Sequence, residues 1–259
     1  MSLSRLLAAA TVFVALASAG TSMAQDPGRF TRWMYRDSGA LLMEVGPRLP
    51  LYAISATTFL LPASSRDEAV LDGVQSGYEG AWRSYLNVTN EIGGPLAVIP
   101  LIGIFEASLF TDDTRFQDAA FTSLQAWIYA GALSGAFKTI FGRVRPESGG
   151  RPLEFGFFSG NTSYPSGHTT AAFAIVTPWV LYYPHVATYA LFAVSTSTAV
   201  ARIALDKHWP TDVLAGAALG YFTARWLTVR HMGSDPGGGV SFRPVVAPES
   251  AGVELKISF

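Results

Sequence analysis

"NTSYPSGHTTAAFAIVTPWVLYY", residues 161–183, sets a cluster of small polar residues directly ahead of a long apolar run. From Ala171 onward the run has the length and the Ala, Val and Phe content of a buried helix. Leu or Ala at its start would cost less to bury than Ser166, Gly167, His168, Thr169 and Thr170, so the polar opening asks for a reason. A helix start leaves its first four N–H groups unpaired. Those donors and the positive end of the helix dipole attract anions, and a glycine lets a ligand approach the backbone closely. Ser166 and Gly167 are therefore candidate phosphate contacts, with the titratable His168 beside them. The plain alternative is an ordinary capped helix that carries one histidine.

Outward from this helix, apolar segments at about 47–62, 93–110, 118–141, 186–205 and 211–229 have helical length and composition. The expected fold class is all-α, an antiparallel bundle of five to six core helices. Residues 26–48 are expected to hold a short surface helix, and the polar, acidic stretch 63–94 to face water. The stretch 142–167, rich in Gly, Pro and Ser, reads as a functional loop. Beyond the Gly-rich "HMGSDPGGG" (231–239), the arms "VSFRPVV" (240–246) and "VELKISF" (253–259) predict a small C-terminal β-hairpin packed on the helical body. Two strands are too few for an outer-membrane barrel, which needs about eight.

Charged residues are 14% of the 259, against about 25% in an ordinary soluble domain, and the net charge is −1, so nucleic acid is not an expected partner. The chain has no cysteine, which excludes disulfides and thiol chemistry. A mean hydropathy of +0.29 points to helices buried deeply, or partly by lipid. At the N-terminus, Arg5, the apolar run Leu6–Ala17 and the small-x-small Ser22-Met23-Ala24 have the order of a cleaved bacterial secretory signal over 1–24. The run is shorter than the ~20 residues of a membrane span. An exported protein is expected.

Three further clusters stand at the polar ends of the apolar segments. "KTIFGRVRP" holds Lys138, Arg143 and Arg145; "PSGH" runs from Pro165 to His168; "ARIALDKHWPTD" holds Arg202, His208 and Asp212. Together they read K-x6-RP, PSGH and R-x5-H-x3-D. This set resembles the signature of the type 2 phosphatidic acid phosphatase and vanadium haloperoxidase superfamily, over about residues 90–230. One position departs from the pattern: Ala201 stands where the family usually has Ser, and a packing difference is expected there.

The residue types suit phosphoryl transfer, whose transition state spreads negative charge over three oxygens. Lys138, Arg145 and Arg202 supply cations, and Ser166 with the Gly167 N–H supplies neutral donors. The resemblance implies that the bundle is of the superfamily's type, that His208 is the nucleophile forming a phosphohistidine, and that His168 protonates the leaving oxygen and later activates water. Asp212, four residues after His208, can reach the histidine Nδ1–H if a helical turn begins at Pro210. Arg143 reads as a solvated loop charge rather than a fourth phosphate contact, and His185 and His231 as structural or surface groups. No metal and no cofactor are expected, because His, Asp and Glu do not cluster at ligand spacing outside the motifs.

The expected activity is that of a metal-independent phosphatase acting on a phosphomonoester or pyrophosphate, lipid-linked in the manner of phosphatidic acid or a polyprenyl diphosphate. A soluble, broad-specificity acid phosphatase is the alternative; a vanadate-dependent haloperoxidase and a non-catalytic lipid-binding envelope protein stand behind it. The expected organisation is a signal (1–24), an N-terminal helical and acidic region (25–90), a catalytic domain (91–232) and a tail (233–259). Membrane association with a periplasm-facing site is expected, since the acidic loop near 106–118 lacks the Lys and Arg that collect on the cytoplasmic side. The oligomeric state is not legible.

Overall fold

The computed structural model describes residues 28–48 and 62–233, and the backbone of 239–247 and 250–258. The expected signal at 1–24 and nearly all of the apolar segment 47–62 lie outside these residues. Helices α1 (Gly28–Ala40), α2 (Asp67–Ser76), α3 (Gly80–Ile92), α4 (Val98–Ser108), α5 (Thr114–Phe141), α6 (Gly167–Tyr182), α7 (Val186–Ala204) and α8 (Pro210–Met232) follow one another along the chain. The four longest of them match the segments expected at 118–141, 168–183, 186–205 and 211–229.

Helix α6, the one with the polar opening, is the centre of the bundle and packs against α5, α7 and α8. Its apolar residues bury on several sides, among them Ala172, Ala174, Val176 and Val180. It lies so close to α8 that a Cβ built on Gly220 would stand 2.3 Å from the Thr170 carbonyl oxygen. Side chains on α8 at this crossing would force the helices apart, so glycine is what lets the first turn of α6 lie against the middle of α8. Helix α5 starts at the Asp113 cap, whose carboxylate accepts from the Phe116 N–H at 3.0 Å. It ends at Gly142, where φ is +52° and a Cβ would collide with the Gly156 carbonyl. That glycine turns the chain into the 142–166 loop.

Three expectations are corrected by the packing. The stretch 63–94 is not a water-facing loop but carries α2 and α3, and it buries Asp67, Leu71, Leu86 and Thr89. Helix α1 is no surface helix: Phe30 and Met34, one turn apart, enter the main core, with the Phe30 ring 4.7 Å from Phe121 and 5.3 Å from Phe105. The segment expected at 93–110 does not start as a helix, because Gly94-Pro95 separates α3 from α4 and the two bend by 58°.

A fourth correction concerns the tail. Gly239–Ala247 and Ser250–Ser258 pair antiparallel, Phe242 opposite Leu255, as alternation dictates. The strands pair with each other, and among the described residues no extensive packing of either on a helix is seen, so the expected hairpin docked on the helical body is not supported. Alternation fixes a strand's faces but supplies no surface for it to cover.

Among the described residues, α7 is long and apolar enough to cross a membrane, and α3 with α4 reaches that mark only if the bent pair is taken as one span. Helix α5, although longer, does not reach it. It buries Gln117, Ser123, Gln125 and Ser134 instead.

Candidate active site

The end of α5, the loop after it, the start of α6, the end of α7 and the start of α8 come together at one end of the bundle. Lys138 lies in the last turn of α5 and donates from Nζ to the carbonyl oxygens of Thr162 and Pro165, each at 2.6 Å. An ammonium has three donors, so one is left for a ligand. Burial draws its pKa down to about 8; Asp212 opposes this, and the Arg145 and Arg202 cations add to it. Arg145, at the loop's entry, reaches Glu147 at 3.3 Å and Thr162 Oγ1 at 3.4 Å. Arg202 closes α7. It is buried, donates from one terminal nitrogen to Asn90 Oδ1 at 2.8 Å, and has no partner for Nε.

Ser166 is the N-cap of α6 and Gly167 its first residue, as the sequence requires of an anion-binding start. The Ser166 N–H is already committed to the Asp212 carbonyl at 2.9 Å, and its hydroxyl accepts from Thr169 Oγ1 at 3.0 Å. A Cβ on Gly167 would point toward Lys138 Cε at 3.6 Å, so the glycine faces the cation. His168 follows on the same turn. Burial, and then the Arg202 cation, lower its pKa to about 4, with Glu91 opposing.

His208 sits in the turn between α7 and α8, its backbone N–H bonded to the Arg202 carbonyl at 3.3 Å, with 2% of its surface exposed. Burial lowers its pKa to about 4 against the pull of Asp212. Helix α8 does begin at Pro210, and this carries Asp212 to the third position of the helix. The expected hydrogen bond to His208 is not made, however: Nδ1 and Asp212 Oδ2 are 3.6 Å apart, an ion-pair separation, and Nδ1 has no other partner. The carboxylate is held elsewhere, by the Trp209 N–H at 3.0 Å, the Ser163 hydroxyl and Arg143. Complete burial by itself would raise the Asp212 pKa, but His208 first, then Arg143 and Ser163, lower it, and the net direction is down.

Arg143 corrects the sequence reading most. It is 1% exposed, neither a solvated charge nor a phosphate contact. One terminal nitrogen donates to Thr211 Oγ1 at 2.8 Å and to Asp212; the other donates to Asp67 at 2.7 Å. Its guanidinium carbon lies 5.1 Å from the Phe155 ring and 5.7 Å from the Trp209 ring. Asp67, Asn90, Ser163 and Thr211 escaped sequence reasoning, since a lone Asp or Asn in a polar stretch carries no signal. His185 caps α7 and accepts from the Ala187 N–H at 3.3 Å. His231 is structural, bonded to Asp37 and to Thr122 at 2.7 Å each and stacked on Trp33. Ala201, the residue that departs from the motif, is fully buried in a small apolar cluster with Leu86 and Ala204. Among the described residues, no three His, Asp or Glu side chains gather to hold a metal.

The buried, neutral His208 makes stability depend on pH. Its folded pKa is lowered, so the unfolded chain takes up a proton near pH 6.5 while the folded site does not until about pH 4. Stability is fully present above about pH 6.5 and is lost as pH falls toward 4, by up to about 3 kcal/mol from this group. Thermal melts should show Tm level above neutrality and falling by several degrees below about pH 6. The acid loss should shrink in His208→Ala; an equal loss in that variant would show that His208 is not the group responsible.

Residues 119–234 match the family model of the PAP2 superfamily. The lipid A 1-phosphatase of Porphyromonas gingivalis is 38% identical over 93 residues, which are 35% of this chain and 19% of that protein. That of Rhizobium johnstonii is 33% identical over 98 residues, 36% of this chain and 40% of that protein. The chain thus spans less than half the length of these relatives. Among solved structures, Aquifex aeolicus LpxE aligns with a TM-score of 0.51 at 19% identity, over 62% of this chain and 93% of that one. The transmembrane PAP2-type phosphatidylglycerolphosphate phosphatase of Bacillus subtilis aligns at 0.53 with 22% identity, over 71% and 92%. The fold is therefore shared with these two, and the resemblance read from the three motifs is borne out over the matched segment.

Proposed function

We propose, from the PAP2 superfamily segment at residues 119–234, that this protein is a phosphatase that removes phosphate from a phosphorylated membrane lipid. The observation that carries this reading is the convergence of Lys138, Arg145 and Arg202 on two neutral histidines, with Lys138 and Arg202 hydrogen-bonded to neutral groups. Lys138 and Arg202, held in a low-dielectric site by neutral partners, fit an anionic ligand, and Arg145, paired with Glu147, stands beside them.

In this reading His208 Nε2 attacks phosphorus and the ester oxygen leaves with a proton from His168, which gives a phosphohistidine. Water, giving a proton to His168, then attacks phosphorus; the N–P bond breaks, its electron pair returns to His208 Nε2, and inorganic phosphate departs. A His168 that is neutral in the empty site gains its proton as the phosphate's negative charge arrives. Asp212, ionised behind His208, stabilises the positive imidazole that forms. The cations neutralise the equatorial oxygens, so the chemistry is positioning and electrostatics.

A lipid is favoured over a soluble ester by the loop between the first two motifs. Leu153, Phe157 and Phe158 are 58%, 63% and 73% exposed there. Phe157 adjoins Phe141, at the end of the helix that bears Lys138, which places apolar surface beside the cations. The names of the relatives point the same way, toward lipid A 1-phosphate or a lipid with a comparable head group. A site facing the periplasm at the membrane surface completes the proposal. The test is phosphate release in mild detergent from lipid A, phosphatidic acid and a polyprenyl diphosphate, compared with an aryl phosphate. At least about tenfold higher kcat/KM for one of the lipids is expected; equal or faster turnover of the aryl ester would make the protein a broad-specificity phosphatase.

A further inference from the structure

We infer that Asp67, outside the family-matched segment, is a positioning residue for the reaction: through Arg143 and Thr211 it holds Asp212 behind His208. The inference rests on the proposed phosphatase reading and deepens it.

Asp67 opens α2 and is 1% exposed. Both of its oxygens are engaged by groups of the motif region. Oδ1 accepts the Thr211 N–H at 3.0 Å, and Oδ2 accepts the Thr211 hydroxyl at 2.6 Å and Arg143 at 2.7 Å. Thr211 belongs to the first turn of α8, where an acceptor on an unpaired backbone N–H fixes the start of the helix. Arg143 reaches from Asp67 to Asp212 Oδ1 and is locked between them by the Pro152 carbonyl, with Phe155 and Trp209 flanking its plane. Two carboxylates thus share one guanidinium; in the carboxylate nearer the site, Arg143 holds Oδ1, while Oδ2 accepts from the Trp209 N–H and the Ser163 hydroxyl and lies 3.6 Å from His208 Nδ1.

This geometry has a chemical consequence. Asp67, Arg143 and Asp212 together carry a net charge of −1 in a buried unit, and His208 is neutral before it attacks. As Nε2 bonds to phosphorus, the imidazole becomes positive and the unit becomes neutral. Without Asp67, Arg143 would neutralise Asp212 alone and would lose the second carboxylate that fixes its guanidinium, and with it the Asp212 Oδ1 end of the site. The groups facing His208 are Asp212 from α8, Lys138 from α5 and Arg202 from α7, so Asp212 is the anion among them and its placement decides how the positive imidazole is stabilised.

The loss should therefore fall on the chemical step. In the full chain, assayed on its best phospholipid substrate, Asp67→Asn should lower kcat by about ten- to a hundredfold with KM within about twofold. The acid limb of the kcat/KM profile should move to lower pH, because removing a negative charge lowers the His208 pKa. In a double-mutant cycle, adding Asp67→Asn to Asp212→Asn should cost little further, since one acts through the other. If Asp67→Asn does not fold, Thr211→Val takes its place: it removes the bridging hydroxyl without stranding a buried charge, and the same pattern of lowered kcat with steady KM is expected. An active wild type with kcat unchanged in these variants, or with fully additive losses in the cycle, would overturn this inference alone. A wild type that releases no phosphate from any substrate would overturn the functional reading and this inference with it.

Discussion

His208→Ala should lower kcat for phosphate release by at least about 10⁴-fold, the largest single loss in the molecule, because in the mechanism we propose it removes the atom that bonds to phosphorus. Nothing else in the site can replace it: His168 belongs to another helix and in that mechanism serves the leaving oxygen, and Asp212 is engaged by Arg143, Ser163 and the Trp209 N–H. The fold should survive, since the His208 side chain makes no hydrogen bond that holds α7 to α8; the backbone N–H to the Arg202 carbonyl does that. The cavity costs some stability, in the range of about 1–3 kcal/mol, partly offset because a buried imidazole no longer resists protonation. Acid-labile phosphate trapped on the wild-type protein by a rapid base quench should be absent from the variant. A variant with wild-type turnover would remove His208 from the nucleophile's place and leave the cations as a binding site without chemistry.

Arg202→Lys should lower kcat by about a hundred- to a thousandfold while the charge count stays the same. The reason is geometric. One terminal nitrogen of Arg202 is tied to Asn90 on α3, which fixes the planar fork and leaves the buried Nε without a protein partner. A lysine ammonium is a point charge on a flexible stem and can satisfy either Asn90 or a phosphate oxygen, not both in fixed geometry. Asn90→Ala should reproduce part of this loss with the arginine intact. Steady-state rates and inhibition by orthovanadate, a mimic of the five-coordinate phosphate, check the assignment together: both kcat and vanadate affinity should fall in Arg202→Lys. A fall in substrate affinity alone would mean that Arg202 binds the ground state and does not favour the transition state.

The sequence alone determined what is local. Helices α5 to α8 were legible because their long apolar runs have one physical explanation, and the ends of α6 and α8 because Ser166-Gly167 and Pro210 are residues that helix starts select. The ten residues and spacings of the three motifs were legible for the same reason that they match a family: charge, histidine and glycine have few other reasons to stand at helix ends. Tertiary structure decided everything that depends on a distant partner. Arg143 in a Gly-rich loop looks solvated until two buried carboxylates, one of them 76 residues away, are brought to it. Asp67, in a stretch whose composition says water, is buried because its bonds to Arg143 and Thr211 outweigh the cost of taking a carboxylate out of solvent. The same holds in reverse for Asp212, which the spacing placed within reach of His208 but which its other donors hold 3.6 Å away. Spacing along a chain sets which groups can meet; competition among all the donors and acceptors that packing gathers sets which of them do.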